Sequence, residues 1–459
     1  MSKYDILILG GGPGGYVAAI KAAQLGAKVA VVEKEKLGGV CLNVGCIPTK
    51  TMLATAKLAE EIHVADEFAI EGIDQSKINV KWKDLLKRKD KVVNRLVSGI
   101  YMLFKKNKID LYEGFGTVVD KNTIEVNGEK IQGKNLIIST GSKAFYPHIK
   151  GLKEAAESDF LVDAREVVDL EDKPKDLIIF GSSAYAVEYA VLFNSIGANV
   201  TIVYRDDSLI PYMEKEMTKT LGRHLKKTGI NISDKSTIKE IKDGEVVIER
   251  KGKEKSIKGD KIIMAMGLRP LLTGLDALEL DSNDQGFIKT NERLETNLDG
   301  VYAIGDVNGQ IPLAHVASAE GIVAVENIMG QNSSIDYNKV PQSIYSFPEL
   351  ATVGYTAEKA KEAGYDVTVS KFPLMANGKA LAEGATTGFV KIVSDNEYGE
   401  IIGAHMMTDH ATDMISQAVA LMQIEGTVYD LAKTIHPHPT TSEIYMEAAL
   451  GAVDKPIHI

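Results

Sequence analysis

The sequence predicts an α/β protein with two Rossmann-like nucleotide-binding domains followed by a C-terminal α+β domain. Three observations carry that reading. A short apolar run, Tyr4-Asp5-Ile6-Leu7-Ile8-Leu9, leads directly into Gly10-Gly11-Gly12-Pro13-Gly14-Gly15. The same unit recurs further on, with Gly181 standing 171 positions after Gly10. From about Val340 to Ile459 strand and helix patterns alternate without another glycine fingerprint.

In the first unit, Tyr4 to Leu9 has the length and apolar content of a buried parallel strand. Gly10, Gly12 and Gly15 then satisfy the dinucleotide fingerprint. Gly10 makes the tight turn, Gly12 lets backbone approach a pyrophosphate, and Gly15 permits close packing of helix on strand. The helix from about Gly14 to Gln24 presents its positive N-terminus to the phosphates. Gly26 ends it, Lys28 to Val32 is the next strand, and Glu33 follows 23 residues after Gly10. A carboxylate there can accept hydrogen bonds from a ribose. Three glycines alone are a weak signal, but strand, turn, helix, strand and acid in register are a strong one.

Cys41 and Cys46 are the only cysteines in 459 residues, and they lie in one stretch, Gly38 to Lys50. A staple closing so small a loop would remove little unfolded-state entropy beside the core that a chain of this size can build. The pair therefore reads as redox-active. The net charge of -10, with no long basic run, excludes a nucleic-acid-binding role as the main function. No apolar run approaches the roughly 18 to 20 residues needed to span a bilayer. Nor does the start resemble a secretory signal. A cytoplasmic setting is expected, and its reducing conditions suit a catalytic disulfide better than a structural one. No metal site is expected.

Thr51 to Glu61 continues as helix, so Cys46 falls near a helix start, where a thiolate is favoured. Val80 to Lys106 is a long helix whose apolar residues, Leu96 and Leu103 among them, recur at helical spacing and suit packing. Asp110 to Gln132 reads as short strands with turns at Asn122 and Gly128, before the buried strand and small residues Leu136 to Ser142. In the second unit Leu177 to Phe180 is the strand and Gly181 the first glycine. Ser183 replaces the second glycine, Ala186 the third and Tyr204 the acid. Ala is an accepted third residue. Ser183 would place a side chain where backbone must approach pyrophosphate. Tyr204-Arg205 removes a ribose acceptor and adds a cation that suits the 2′-phosphate of NADP, although Asp206 and Asp207 oppose it. NAD and NADP both remain open. After the strand and turn Ile262 to Pro270, which includes Gly267, the chain returns to the first domain. Val301-Tyr302-Ala303-Ile304-Gly305-Asp306 precedes a helix in Pro312 to Gly321. Near the end, Thr440-x-x-Glu443 is a capping box, preceded by His436-Pro437-His438-Pro439.

The segment CLNVGCIPTK from Cys41 to Lys50 resembles the active-site segment of the flavin-dependent disulfide oxidoreductases. Leu42, Asn43 and Ile47 fit the dihydrolipoamide dehydrogenases among them. Glutathione reductases, by contrast, usually carry Val after the first cysteine and paired glutamates at the C-terminal motif; here Leu42 and Glu443-Ile444 stand instead. The resemblance covers the whole chain and implies four segments: 1–145 binding FAD, 146–270 binding NAD(P), 271–338 returning to the flavin domain, and 339–459 forming a dimer interface. It implies FAD at Gly10, Gly12, Gly14, Gly15, Glu33, Thr140, Gly141, Gly305, Asp306 and Ala314, and a nicotinamide nucleotide at Gly181, Ser183, Ala186, Tyr204, Arg205 and Gly267. It further implies that Cys46 is the cysteine nearer the flavin and that Lys50 and Glu188 form an ion pair beside it. His438, oriented by Glu443, is the implied acid-base catalyst. The implied activity is oxidation of protein-bound dihydrolipoamide with reduction of NAD+, in a homodimer that meets a lipoyl-bearing protein of a larger complex. The altered second unit also admits an NADP-preferring disulfide reductase, or a partner-binding flavoprotein with a degenerate nucleotide site.

Overall fold

The computed structural model describes residues 3–242 and 244–459. Tyr4–Leu9 is the central strand of a parallel array. Val29–Glu33 pairs on one side, Leu9 opposite Val32, and Glu129–Ile138 on the other, Leu9 opposite Ile138. Asp110–Glu113 extends the array beyond Val29–Glu33, and Val301–Ala303 lies parallel beyond Leu136 to Ile138. Both faces of these strands are covered, so they are almost continuously apolar, and Ile6, Leu7 and Ile8 are wholly buried. Strand order reverses at Tyr4–Leu9. A crevice therefore opens at its carboxyl end, where the glycines stand.

The turn itself needs glycine. Gly10 has φ +105°, and a Cβ there would stand 2.2 Å from the Ser139 carbonyl oxygen; Gly181 has φ +139°, with Ala265 oxygen at 2.1 Å. The helix after the first turn is Pro13–Gln24, one residue longer than expected, because proline suits a first helical turn.

The second unit repeats the arrangement more fully than its sequence suggests. Asn231–Ser233, Asn199–Val203, Asp176–Phe180, Lys261–Met264 and Leu161–Val162 form a parallel sheet in that order. An antiparallel meander, Ser236–Lys242, Glu245–Arg250 and Lys253–Lys258, precedes Lys261–Met264. Gly116–Asp120, Thr123–Val126 and the start of Glu129–Ile138 form the matching excursion in the first unit. An antiparallel pair, Ser142–Ala144 with Leu268–Pro270, carries the chain out and back.

The returning helix, Ala314–Ile328, runs past Gly321 and lies across Pro13–Gln24, where Val323 and Ala324 share a buried cluster with Ala18 and Ala22. Trp82–Asn107 buries Leu85, Val93, Val97, Ile100 and Phe104 along one stripe. Leu96 and Leu103, expected to pack, fall off that stripe and are exposed. The C-terminal part is an antiparallel sheet in the order Gln342–Ile344, Glu349–Gly354, Ile401–Thr408, Phe389–Asp395, Val367–Pro373. Helices Ala411–Gln423 and Glu443–Val453 pack on it. Lys391 reaches back to Glu214 at 2.7 Å and Glu216 at 2.9 Å, tying this sheet to the second unit. Among the described residues no helix is long and apolar enough to cross a membrane.

Candidate active site

Cys41 lies in the short helix Gly39–Asn43, and Cys46 is the first residue of Cys46–His63. This segment is pinned to the glycine turn. The Gly38 N–H donates to the Gly11 oxygen at 2.8 Å. Gly39 comes so near that a Cβ on it would stand 2.7 Å from the Gly12 Cα. The Asn43 side-chain amide donates to the oxygens of Gly39 at 2.9 Å and Leu37 at 3.1 Å, closing the bend from within.

Both cysteines are free and half-buried, and each changes the proton affinity of the other. Interaction with the Cys41 thiol holds Cys46 below the ordinary thiol range; burial opposes it and the nearby Lys50 charge assists. The same interaction, reinforced by burial, pushes Cys41 well up. Of the two, Cys46 is therefore the sulfur that gives up its proton first. The uncapped helix N-terminus at Cys46 favours that charge as well.

One turn further, Lys50 meets Glu188 at 2.7 Å, across 138 residues of sequence. Glu188 is buried on Ala184–Ser195 of the second unit. Its other oxygen accepts from the Tyr345 N–H at 3.2 Å, while Lys50 Nζ lies 4.3 Å from the Tyr345 ring centre. Burial would lower the Lys50 ammonium, but the charge and hydrogen bond of Glu188 outweigh it and hold it above its ordinary value. Lys50→Met is expected to raise the Cys46 pKa, since a cation this close favours the thiolate. The pH dependence of thiolate ultraviolet absorbance in reduced protein measures this, and an unchanged midpoint would detach Lys50 from the cysteines.

His438 and Glu443 are also together, His438 Nδ1 lying 2.9 Å from Glu443 Oε1. Their surroundings differ sharply, since the His438 side chain is 80% exposed and that of Glu443 22%. Among the described residues, no hydrogen bond or ion pair joins either one to the cysteines of the same chain. Burial would raise the Glu443 carboxyl, but the Thr440 N–H and His438 outweigh it and hold it below the usual carboxylate range. The expected capping box is half made: Glu443 Oε2 accepts from the Thr440 N–H at 2.9 Å, but Thr440 Oγ1 donates to the Pro437 oxygen at 2.8 Å.

The first glycine turn fits a dinucleotide. Gly12 leaves Pro13–Gln24 without a side-chain cap, and a Cβ on Gly12 would meet only the Gly39 Cα, at 3.9 Å. Glu33 Oε2 accepts from the Gly11 N–H at 2.7 Å and Oε1 from the Glu35 N–H at 2.8 Å. Its carboxylate is thereby fixed at the mouth of the turn with lone pairs to spare for ribose hydroxyls. Asp306 has one described donor, the Ser142 hydroxyl at 2.6 Å, and burial raises its carboxyl. It is an under-satisfied acceptor, suited to further hydroxyls. Ala314 opens a helix whose first turn has no side-chain cap. Gly14 is buried on Pro13–Gln24, and Gly141 has open space about it. Thr140 is engaged elsewhere, its hydroxyl donating to the Leu271 oxygen at 2.7 Å.

The second turn is built differently. Ser183 Oγ donates to the Ala265 oxygen at 3.0 Å and accepts from the Ala186 N–H at 3.4 Å, so it caps Ala184–Ser195. Tyr204 is turned into the core, and burial pushes its phenol up to about 12. Arg205 is exposed, and Gly267 has open space about it.

Two contributors escape the sequence reading. Tyr345 touches Lys50 only through the fold. Glu320 is wholly buried: Oε2 accepts from the Gly305 N–H at 2.5 Å and Asn308 at 3.0 Å, and Oε1 from the Tyr337 hydroxyl at 2.7 Å, fixing the Gly305–Asp306 turn. The legible signal was a carboxylate set among small and apolar residues, Ala317 to Val325.

Residues 4–321 match the pyridine nucleotide-disulphide oxidoreductases, and residues 340–449 match the dimerisation domain of that name. The chain is 40% identical to a dihydrolipoyl dehydrogenase of Bacillus subtilis (strain 168), with 100% of this chain and 99% of the relative covered. It is 38% identical to the mitochondrial dihydrolipoyl dehydrogenase of Pisum sativum, covering 99% and 92%. Among solved structures, the copper(II) complex of the HOCl-induced flavoprotein disulfide reductase RclA from Escherichia coli is similar at a TM-score of 0.86 and 25% identity, covering 98% of this chain and 99% of that one.

Proposed function

The chain belongs to the pyridine nucleotide-disulphide oxidoreductase family, and we infer from that premise and the site that it acts as a dihydrolipoamide dehydrogenase. It is a flavin-dependent oxidoreductase that uses FAD and a nicotinamide nucleotide. The observation that carries the chemistry is the pair Cys41 and Cys46 on adjoining helices, with Lys50 and Glu188 in contact one turn beyond Cys46, in surroundings that favour loss of the Cys46 proton before that of Cys41. That ordering suits a disulfide opened by a dithiol substrate, with Cys46 as the sulfur that leaves.

We assign FAD to segments 1–145 and 271–338, held by the first glycine turn, Glu33 and Asp306, and the nicotinamide nucleotide to 146–270. Bound FAD supplies two-electron reoxidation of the dithiol, with NAD+ as terminal acceptor. The residues of the chain do the sulfur and proton chemistry. A substrate thiol gives its proton to His438, and the thiolate attacks the Cys41 sulfur of the Cys41–Cys46 disulfide. The Cys41–Cys46 bond breaks and Cys46 leaves as thiolate, beside Lys50. The second substrate thiol then attacks the first sulfur, forming the cyclic disulfide and expelling Cys41, which takes up the proton that this second thiol loses, while His438 holds the first. With Glu443 accepting from Nδ1, His438 Nε2 keeps the lone pair needed for the proton.

We assign the working unit to a homodimer, in which His438 and Glu443 serve the cysteines of the partner subunit. The exposure of His438 and the position of both residues within 340–449 support this. The partner that delivers substrate is a lipoyl-bearing protein. A dithiol cycled at each turnover suits a reducing compartment, and we place the protein in the cytoplasm. Anaerobic rapid mixing tests the assignment. Dihydrolipoamide should bleach the flavin of the purified protein, and NAD+ should restore it. Bleaching by the dithiol without recovery on NAD+ or NADP+ would instead favour a degenerate nucleotide site.

A further inference from the structure

We propose that Asp206 selects NAD(H) over NADP(H), taking at the second turn the ribose-accepting place that Glu33 has at the first. The inference rests on the reading that residues 146–270 bind a nicotinamide nucleotide.

The two turns correspond residue by residue. The Gly10 N–H donates to the Val32 oxygen at 2.8 Å and the Gly181 N–H to the Val203 oxygen at 2.9 Å, so Tyr204 stands at the place of Glu33 and Ser182 at that of Gly11. In the first unit the acid at the strand end is tied to the turn, Glu33 Oε2 accepting from the Gly11 N–H at 2.7 Å. Tyr204 cannot make that tie, being buried in the core. The tie is remade two residues later, where the Ser182 hydroxyl donates to Asp206 Oδ2. A backbone donor and a long acid have been exchanged for a side-chain donor and a shorter acid. The carboxylate still returns to the same turn residue.

Asp206 is exposed, and its Oδ1 is free to accept from an adenosine ribose hydroxyl. Asp207 differs, because Lys235 neutralises it at 2.9 Å. A 2′-phosphate placed here would stand against the Asp206 carboxylate, and like charges at that separation repel. The exposed Arg205 beside it attracts phosphate, so the carboxylate and the guanidinium oppose one another at this mouth. The carboxylate prevails because the turn holds it in place, whereas Arg205 has no described partner to fix it.

Binding to the flavin-loaded protein tests this without turnover. The probes are ADP-ribose, its adenosine 2′-deoxy analogue and its adenosine 2′-phosphate analogue, titrated calorimetrically. The wild type should bind ADP-ribose more tightly than either analogue. Asp206→Ala should weaken ADP-ribose by about tenfold or more, the range for a hydrogen bond to a charged group. It should also bring ADP-ribose level with the 2′-deoxy analogue and narrow the discrimination against the 2′-phosphate. Ser182→Ala, which unties the carboxylate but keeps it, should give a smaller loss of the same pattern. An Asp206→Ala protein that still favours ADP-ribose over the 2′-deoxy analogue by the wild-type ratio overturns the proposal. A wild type that prefers the 2′-phosphate overturns it while leaving the nucleotide domain intact. A wild type that binds none of the three overturns the domain assignment, and this inference with it.

Discussion

Replacing Cys46 with serine is expected to abolish dihydrolipoamide oxidation, by on the order of 10⁴-fold or more, the loss typical of a group that carries the chemistry. Thiol exchange needs a sulfur that leaves as a stable anion, and a serine alkoxide is far too basic to do so. On the proposed assignment Cys46 is that sulfur: it opens the helix Cys46–His63 one turn before Lys50, and Cys41 and the Lys50 charge act to hold its pKa down against burial. Reduced wild-type protein should show one thiolate titrating below the ordinary thiol range. Raising the pH through that midpoint charges Cys46, while Cys41, pushed up by its interaction with Cys46 and by burial, stays protonated. In Cys46→Ser the low midpoint should vanish, and Cys41 should fall back toward ordinary behaviour once its charged neighbour is gone. Cys41→Ser should be equally inactive but keep a low-pKa thiolate, because a serine hydroxyl can still donate to it. A low midpoint that survives in Cys46→Ser would reverse the assignment of the two cysteines.

What could be read in advance follows from how local each signal is. The glycine turn is local: Gly10 needs positive φ and lies against Ser139, so a strand followed by that spacing announces itself. The cysteines were legible from rarity and spacing, and the repeat from matching strands and glycines. The Lys50–Glu188 pair spans 138 residues and was reachable only through resemblance, since neither residue's neighbours in sequence mark it. Tyr345 and the Ser182–Asp206 tie were not legible, because each exists only once distant elements have packed, and Glu320 showed only as a carboxylate among apolar neighbours. At the C-terminal motif, local rules misled in part. Thr440 and Glu443 have capping-box spacing, yet the helix begins at Glu443 itself and the Thr440 hydroxyl turns back to Pro437. The carboxylate is divided between an N–H and His438, so the side chain that a helix cap would use serves the histidine instead.

That division makes His438→Ala the second decisive substitution. It is expected to slow dihydrolipoamide oxidation by about 10² to 10⁴-fold, the range for a positioned general base. Electron transfer from NADH to an artificial dye needs no thiol deprotonation and should change little; equal losses in both assays would remove His438 from the proton path. The side chain is 80% exposed in one chain, so little folding energy depends on it and the substitution tests function. Exposure also makes a geometric prediction. If His438 serves the partner's cysteines, neither Cys41→Ser nor His438→Ala homodimers can oxidise the dithiol at a normal rate. A heterodimer of the two variants would then have one site lacking both groups and one site intact, and should recover about half the wild-type activity. Were each site built within one chain, every site in that heterodimer would lack one group, and mixing would restore nothing.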